Sequence, residues 1–117
     1  MDGAVLLGFA ILQFAADEAE ILTIAVAQKA QRKGAGSSIM EKAIALCEER
    51  LISCIYLEVA ESNGPALRLY GKLGFSTFAR RNNYYQSARP APETALIMRL
   101  DMKQSLSQIE LQRGKMR

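Results

Sequence analysis

The sequence predicts a single α/β domain built around a mixed sheet. Residues 19–60 show the pattern of a strand, a glycine-containing loop, an amphipathic helix and a second strand, which indicates a βαβ unit with a parallel pair. An apolar run before this unit and two β-rich runs after it predict further strands. With 117 residues, half of them apolar, the chain is long enough for one folded core.

The first two elements are predicted to form an antiparallel hairpin. Residues 4–14 are a nearly continuous apolar run with β-branched and aromatic members, which fits a buried strand. Asp17 and Glu18 interrupt this run and turn the chain back into a second strand at about residues 19–27.

The apolar periodicity from Gly36 to about Leu51 predicts an amphipathic helix that begins near Ser37. Charged residues lie off its apolar stripe, and a β-rich strand follows at residues 53–60. The predicted stripe consists of Ile39, Met40, Ala43, Ile44, Cys47 and Leu51.

A second, shorter helix follows the segment Ser62-Asn63-Gly64-Pro65, which supplies a cap and a first-turn proline. Gly74 followed by Phe75 predicts a left-handed helix stop with its hydrophobic contact. Two further strands are predicted at residues 75–83 and 93–101, and the tail at 102–117 is polar.

Composition excludes several kinds of chemistry. The chain has no histidine, which removes Ser-His and Cys-His nucleophile pairs and most zinc sites, so acid–base chemistry must rest on carboxylates, tyrosines or lysines. We expect no metal. Cys47 and Cys54 form no C-x-x-C motif and are interpreted as buried small hydrophobes.

Charge and hydropathy restrict the partners. The net charge of +3 is mild and spread along the chain, so direct nucleic-acid binding is not expected. No stretch approaches the roughly 20 apolar residues of a membrane span, and no leader pattern is found. We therefore expect a cytoplasmic protein without a membrane partner.

The loop with the pattern Q-x-x-G-x-G, from Gln31 to Gly36, is a candidate anion site. It follows a strand, contains Arg32 and Lys33, and opens a helix whose first N–H groups can bind phosphate. Glycines also end strands and begin helices for structural reasons. The loop is not a Walker motif, because no Lys-Ser/Thr follows Gly36, and the antiparallel hairpin before it argues against a Rossmann site.

Two further residues are ambiguous from the sequence. Glu58, within the strand C-I-Y-L-E-V-A, either faces solvent or lies in a partly buried cleft where it could act as a base. Tyr70 lies on the apolar stripe of the second helix, where core packing is the simpler interpretation.

Several segments, taken in order, resemble the GNAT acetyltransferase superfamily. They are I-A-V at Ile24 to Val26, Q-x-x-G-x-G at Gln31 to Gly36, L-E-V at Leu57 to Val59, and N-x-x-A-x-x-L-Y-x-x-L-G-F from Asn63 to Phe75. More narrowly, L-E-V, Arg81-x-x-Tyr84-Tyr85 and Ala95-Leu96-Ile97-Met98 resemble the bacterial subfamily that acetylates the N-terminal alanine of a small-ribosomal-subunit protein.

The resemblance implies an α/β GNAT fold, with a mixed, mostly antiparallel sheet and a splayed parallel pair at its centre. Residues 1–101 would form a partial domain that lacks the superfamily's first strand and first two helices. Acetyl-CoA would lie where the strand ending at Val26 splays from the strand at 53–60. Asn63 would contact it too, although capping the second helix is an equally physical role. The implied cofactor-binding residues are Ile24, Ala25, Val26, Gln31, Arg32, Lys33, Gly34, Ala35, Gly36, Ser37 and Asn63.

The resemblance also implies catalytic roles. Glu58 would deprotonate the incoming α-ammonium, Tyr70 would protonate the leaving thiolate, and a backbone N–H near Val26 would polarise the thioester carbonyl. Tyr84 and Tyr85 would line the acceptor entrance, but adjacent strand residues point to opposite faces, so at most one readily faces the cleft.

The acceptor implied by the resemblance is a protein N-terminus, such as that of a small-subunit ribosomal protein. Two alternatives remain open, namely an acetyl-CoA-binding or interaction module with little turnover, and a GNAT enzyme acting on a small amine or a lysine side chain. The missing strand and helices would expose a sheet edge and a sheet face, so we expect self-association, as a homodimer through the exposed sheet edge, or marginal stability.

Overall fold

The computed structural model describes residues 8–27, 34–82 and 93–102. Residues 4–7 of the first predicted strand, residue 83 of the fourth and the tail from 103 onward lie outside this range. The described residues form seven elements in chain order: β1 (Gly8–Ala15), β2 (Glu18–Val26), α1 (Ala35–Glu49), β3 (Cys54–Ala60), α2 (Gly64–Lys72), β4 (Ser76–Arg81) and β5 (Ala95–Asp101).

The five strands form one mixed sheet in the order β1-β2-β3-β5-β4. The predicted hairpin is confirmed, because β1 pairs antiparallel with β2. The βαβ unit is confirmed as well, because β2 and β3 pair in parallel and α1 connects them. The remaining pairs, β3 with β5 and β5 with β4, are antiparallel. Within the described residues β1 is therefore an edge strand, as expected.

Helix α1 packs on one face of the sheet, mainly against β1 and β2. It begins after Gly34, whose φ of 85° is a left-handed conformation that glycine adopts without steric cost. Its apolar stripe buries Met40, Ala43 and Cys47, and Met40 and Cys47 join the core cluster that also contains Ile55 of β3. The amphipathic pattern predicted this face correctly.

The expected burial of Leu51 was wrong. The helix ends at Glu49, and Leu51 then adopts a φ of 58° and is 77% exposed. The left-handed residue reverses the chain, so the next residue, Ile52, turns into the core instead. A periodic pattern cannot show this, because the helix stops before the stripe does.

Local chemistry accounts for both ends of α2. The Asn63 side chain accepts a hydrogen bond from the backbone N–H of Ala66 at 3.2 Å, and Pro65 lies in the first turn. At the other end Gly74 has a φ of 104°, and the N–H of buried Phe75 donates to the Tyr70 carbonyl at 3.0 Å. The predicted cap and left-handed stop are both confirmed.

The sheet has two unlike faces. Along β3, Ile55, Leu57 and Val59 are buried in the core with residues of α1 and α2, whereas Tyr56 and Glu58 point to the opposite side. We call this opposite side the open face, because no described element packs over it. The open face sets the environment of the candidate site.

The cysteines differ from each other. Cys47 is fully buried and burial raises the pKa of its thiol, as expected for a small core residue, but Cys54 is only half-buried. In the part of the chain that the structure describes, no helix is long and apolar enough to cross a membrane.

Replacing Gly71 by alanine is expected to stabilise the chain. Gly71 is exposed within α2, and an added Cβ would meet no atom within 4 Å. We expect Gly71→Ala to raise the free energy of unfolding by about 1 kcal/mol, measured by urea denaturation. The matched change Gly74→Ala should lower it, because φ is +104° and the Cβ would lie 3.0 Å from Leu100. Equal effects of the two changes would contradict this.

Candidate active site

A cleft opens between β2 and β3 where their pairing ends. The last parallel pair is Ile21 with Leu57, but β2 continues to Val26 and β3 continues to Ala60. The space beyond this pair is a cavity of about 340 Å³. It is lined by Ile21, Leu22, Thr23, Ile24, Leu57, Glu58, Val59, Ala60, Asn63 and Tyr70.

A bulge contributes to this opening. The β1–β2 register shifts between Ile11 and Leu12, so that Leu22 is an extra residue on β2. A bulge bends its strand and increases the local twist, which turns the end of β2 away from its former direction. The half-buried segment of β2 that follows includes Ile24, Ala25 and Val26, all three predicted to contact the cofactor.

The N-terminus of α1 lies at the same end of the sheet as this cleft. A Cβ placed on Gly36 would be 3.9 Å from Val26 of β2 and 3.6 Å from Leu69 of α2. The first helical hydrogen bond runs from the Ser38 N–H to the Gly34 carbonyl at 3.0 Å. The N–H groups of residues 35–37 therefore precede the intrahelical ladder and carry the positive end of the helix dipole.

Glu58 lies between two cavities. It follows Leu57, the last residue of β3 that pairs with β2, so it lines the cleft. It also lines a second cavity of about 470 Å³ on the open face, together with Arg80, Arg81 and Asn82. A side chain in this place can meet a molecule in the cleft on one side and a second molecule arriving from the open face.

Arg81 holds the Glu58 carboxylate. Its Nη1 lies 3.3 Å from both carboxylate oxygens, and 39% of the Glu58 side chain is exposed. Arg81 is itself largely exposed, so we attribute an orienting effect to this contact rather than much stability. Sequence reasoning missed the pair, because Arg81 lies on β4, two strands from β3. Only the strand order brings the two charges together.

Tyr70 lines the cleft from α2. Its ring packs against Phe75 with centroids 6.0 Å apart, and it is half-buried beside the core. Burial raises the pKa of the Tyr70 hydroxyl above its ordinary value. Since the anion is disfavoured, the hydroxyl remains protonated at neutral pH and is suited to donate a proton. Tyr70 therefore packs against the core and also lines the cleft, so the two interpretations drawn from the sequence do not exclude each other.

Asn63 also combines two positions. Its side chain caps α2, as described above, and the residue lines the cleft. The capping role is therefore established, and a contact with a ligand is compatible with it.

The structure brings one part of the predicted site together and does not describe another part. Glu58, Asn63, Tyr70 and Ile24 line one cleft, and Gly34 to Ser37 form the start of the neighbouring helix. Gln31, Arg32, Lys33, Tyr84 and Tyr85 lie outside the described residues. The described segments contain no group of three or more histidine, cysteine, aspartate or glutamate side chains arranged to hold a metal ion.

The comparison with family models and the comparison with individual proteins point to the same family. Residues 1–75 match the model of the acetyltransferase (GNAT) family. The chain is 41% identical over 92 residues to ribosomal protein bS18-alanine N-acetyltransferase from Escherichia coli K12, which covers 79% of this chain and 62% of the relative.

Solved structures agree with the sequence match. The crystal structure of the Escherichia coli ribosomal-protein-S18-alanine N-acetyltransferase matches with a TM-score of 0.73 at 40% identity, covering 80% of this chain and 59% of that one. A GNAT family acetyltransferase from Elizabethkingia anophelis with acetyl-CoA bound matches with a TM-score of 0.75, over 84% of this chain and 70% of that one. At 21% identity this second match shows the fold alone.

The chain spans about three fifths of the length of the Escherichia coli protein that it matches. The matched part includes the strand, helix and strand that build the cleft, because the family model covers β1 through α2. The chain therefore belongs to the GNAT acetyltransferase family.

Proposed function

We propose that the protein is an N-acetyltransferase that transfers the acetyl group of acetyl-CoA to the α-amine of a protein N-terminus. The observation that carries this proposal is the meeting of Glu58, Asn63 and Tyr70 in one cleft at the end of the β2–β3 pairing. The identity of 41% to a bS18-alanine N-acetyltransferase supports an N-terminal alanine of a small-subunit ribosomal protein as the acceptor.

The residues present fit acetyl-CoA. Beyond Ile21 the side of β2 that faces β3 is not paired with it, so the amides of a pantetheine arm could extend the sheet there. The N–H groups at residues 35–37 would receive the pyrophosphate, as helix N-termini receive phosphates generally. Acetyl-CoA would supply the activated acyl group as a thioester.

Glu58 acts as the base in this proposal. An α-amine has a pKa of about 8, so most of it is protonated at neutral pH and must lose a proton before it attacks. The Glu58 carboxylate accepts this proton, directly or through a water. Arg81 keeps the carboxylate at the boundary between the cleft and the open-face cavity through its two 3.3 Å contacts.

Tyr70 acts as the acid. The amine nitrogen forms a bond to the carbonyl carbon and gives up its second proton to water, the carbon–sulfur bond breaks, and the electron pair leaves with sulfur. Tyr70 donates its hydroxyl proton to this thiolate, which its raised pKa permits because the hydroxyl is protonated at neutral pH. A backbone N–H of β2 near Val26 would stabilise the oxyanion formed in between.

The test pairs a binding measurement with a thiol-release assay. Calorimetry measures acetyl-CoA binding, and a colorimetric thiol assay follows turnover with a peptide that begins with alanine. The control peptide differs in two ways: its N-terminus is blocked, and one internal residue is replaced by lysine, which the first peptide lacks. We expect binding, and thiol release only with the free N-terminus.

Each other outcome overturns a separate part of the proposal. Release only with the blocked peptide would identify a lysine acceptor. Binding without release from either peptide would identify a binding module, and no binding would reject the cofactor.

The dual position of Asn63 leads to a separate prediction. Asn63→Ser keeps a side-chain oxygen able to cap α2, whereas Asn63→Ala removes it and should cost about 1 kcal/mol of stability. If Asn63 also contacts the cofactor, both variants bind acetyl-CoA more weakly while only the alanine variant loses stability. Unchanged affinity in Asn63→Ser, measured by calorimetry, would limit Asn63 to capping.

A further inference from the structure

The cleft between β2 and β3 has a closed end and an open end. At the closed end Ile21 of β2 and Leu57 of β3 are the last residues that pair in parallel, and from there the two strands separate. At the open end Val26 lies beside the start of α1, since a Cβ on Gly36 would be 3.9 Å from it. A long ligand in the cleft therefore has one end near the helix N-terminus and the other near the Ile21–Leu57 pair.

The closed end of the cleft is apolar and tightly packed. Ile21, Leu57 and Val59 all line the cleft, yet each is at most 7% exposed. All three belong to the core cluster that also contains Met40 and Ile55, which are fully buried. Side chains in such a core cannot step back without displacing their neighbours. We call Ile21, Leu57 and Val59 the end wall.

The length of acetyl-CoA brings its acyl group to the end wall. In the binding mode proposed above, the pyrophosphate lies at the start of α1 and the pantetheine arm runs along β2. Between phosphate and sulfur this arm is as long as about four extended residues, about 14 Å. Four residues back from Val26 is Leu22, which is next to Ile21. The thioester therefore lies at the level of the end wall, where Glu58 follows Leu57 along β3.

We propose that the end wall selects acetyl as the acyl group, so that propionyl-CoA and longer acyl-CoA molecules are poor donors. This inference rests on the proposed function and names the residues that choose its acyl donor. An acetyl group ends in a single methyl group, which fits a short gap against apolar side chains. Each further methylene must either be forced into packed core or leave the cleft, and both outcomes cost affinity.

Two substitutions widen the end wall, and a third serves as their matched control. Ile21→Val removes one methyl group from β2, and Val59→Ala removes two from β3. Ile55→Val makes the same change as Ile21→Val at a fully buried position, on the same face of β3 as Leu57 and Val59. Ile55 pairs with Ala19, one step before the end wall, and does not line the cleft.

Calorimetry on the full chain compares acetyl-CoA, propionyl-CoA and butyryl-CoA, with CoA itself as the baseline. We expect the unmodified chain to bind the two longer acyl-CoA molecules at least about tenfold more weakly than acetyl-CoA. Ile21→Val and Val59→Ala should bring the affinities for acetyl-CoA and propionyl-CoA to within about threefold of each other. Ile55→Val should keep the full difference. Because each ratio is measured within one variant, a moderate loss of stability does not alter it.

Each contrary result has a separate meaning, and narrowing of the ratio in either end-wall variant supports the proposal. Equal affinities of the unmodified chain for the three acyl-CoA molecules would reject the end wall as a selecting element while the proposed function stands. An unchanged ratio in both end-wall variants, or equal narrowing in Ile55→Val, would reject it as well. No binding of any CoA compound would reject the acetyl-CoA site itself, and the proposed function with it.

Discussion

Glu58→Gln is expected to lower the turnover number for acetyl transfer by about 10²–10⁴-fold, the usual range for a lost general base. Glutamine keeps the shape of the side chain and can still accept a hydrogen bond from Arg81, but it cannot take a proton from the α-ammonium. Because the change lies at the boundary of the cleft, affinity for acetyl-CoA should stay nearly the same. Thiol release and calorimetry measure the two quantities.

Glu61→Gln is the matched control for Glu58→Gln. Glu61 is also an exposed carboxylate in an ion pair, 2.8 Å from Arg80, but it does not line the cleft. Its replacement should leave turnover within about twofold of the unmodified protein, as for surface changes generally. If both variants behave alike, the assignment of Glu58 as the base fails.

Tyr70→Phe is expected to reduce turnover by a similar factor, about 10²–10⁴-fold, with little change in stability. Phenylalanine keeps the packing against Phe75 and loses only the hydroxyl that would protonate the leaving thiolate. Thermal unfolding separates this loss from a folding defect. A variant that is equally stable and fully active would remove Tyr70 from the mechanism.

The pH profile gives a further check on Tyr70. Its pKa is raised by burial, so the protonated form dominates at neutral and mildly alkaline pH, and loss of the acid becomes visible only above that raised value. Between about pH 6 and 9 the profiles of the unmodified protein and Tyr70→Phe should therefore have the same shape and differ by a constant factor. A fall in turnover near neutral pH that is seen in the unmodified protein but not in Tyr70→Phe would contradict this.

Both helices and all five strands that the structure describes were expected from the sequence, because their signals lie in the types and spacing of residues that are close together in the chain. Asn63 caps α2 because its side chain reaches the third N–H beyond it, and Gly74 ends the same helix because only glycine adopts its conformation cheaply. The exception, Leu51, depends on one left-handed residue after α1, and no periodicity encodes such a turn.

The candidate site was predicted less evenly. Family resemblance selected Glu58, Asn63 and Tyr70 together, and the structure places all three on one cleft. The sequence left the orientation of Glu58 open, since alternation along β3 does not show which face a helix covers. The pairing with Arg81 was not foreseen, because it depends on β5 lying between β3 and β4.

The sequence by itself determined the order of the elements, their caps, the glycine-containing start of α1 and the absence of histidine chemistry. These properties depend on residue type and on contacts between near neighbours. The tertiary structure alone decided where the β2–β3 pairing ends, which cavities Glu58 lines and which charges share the open face. Such features depend on strand register and on a bulge, and packing between residues far apart in the chain determines both.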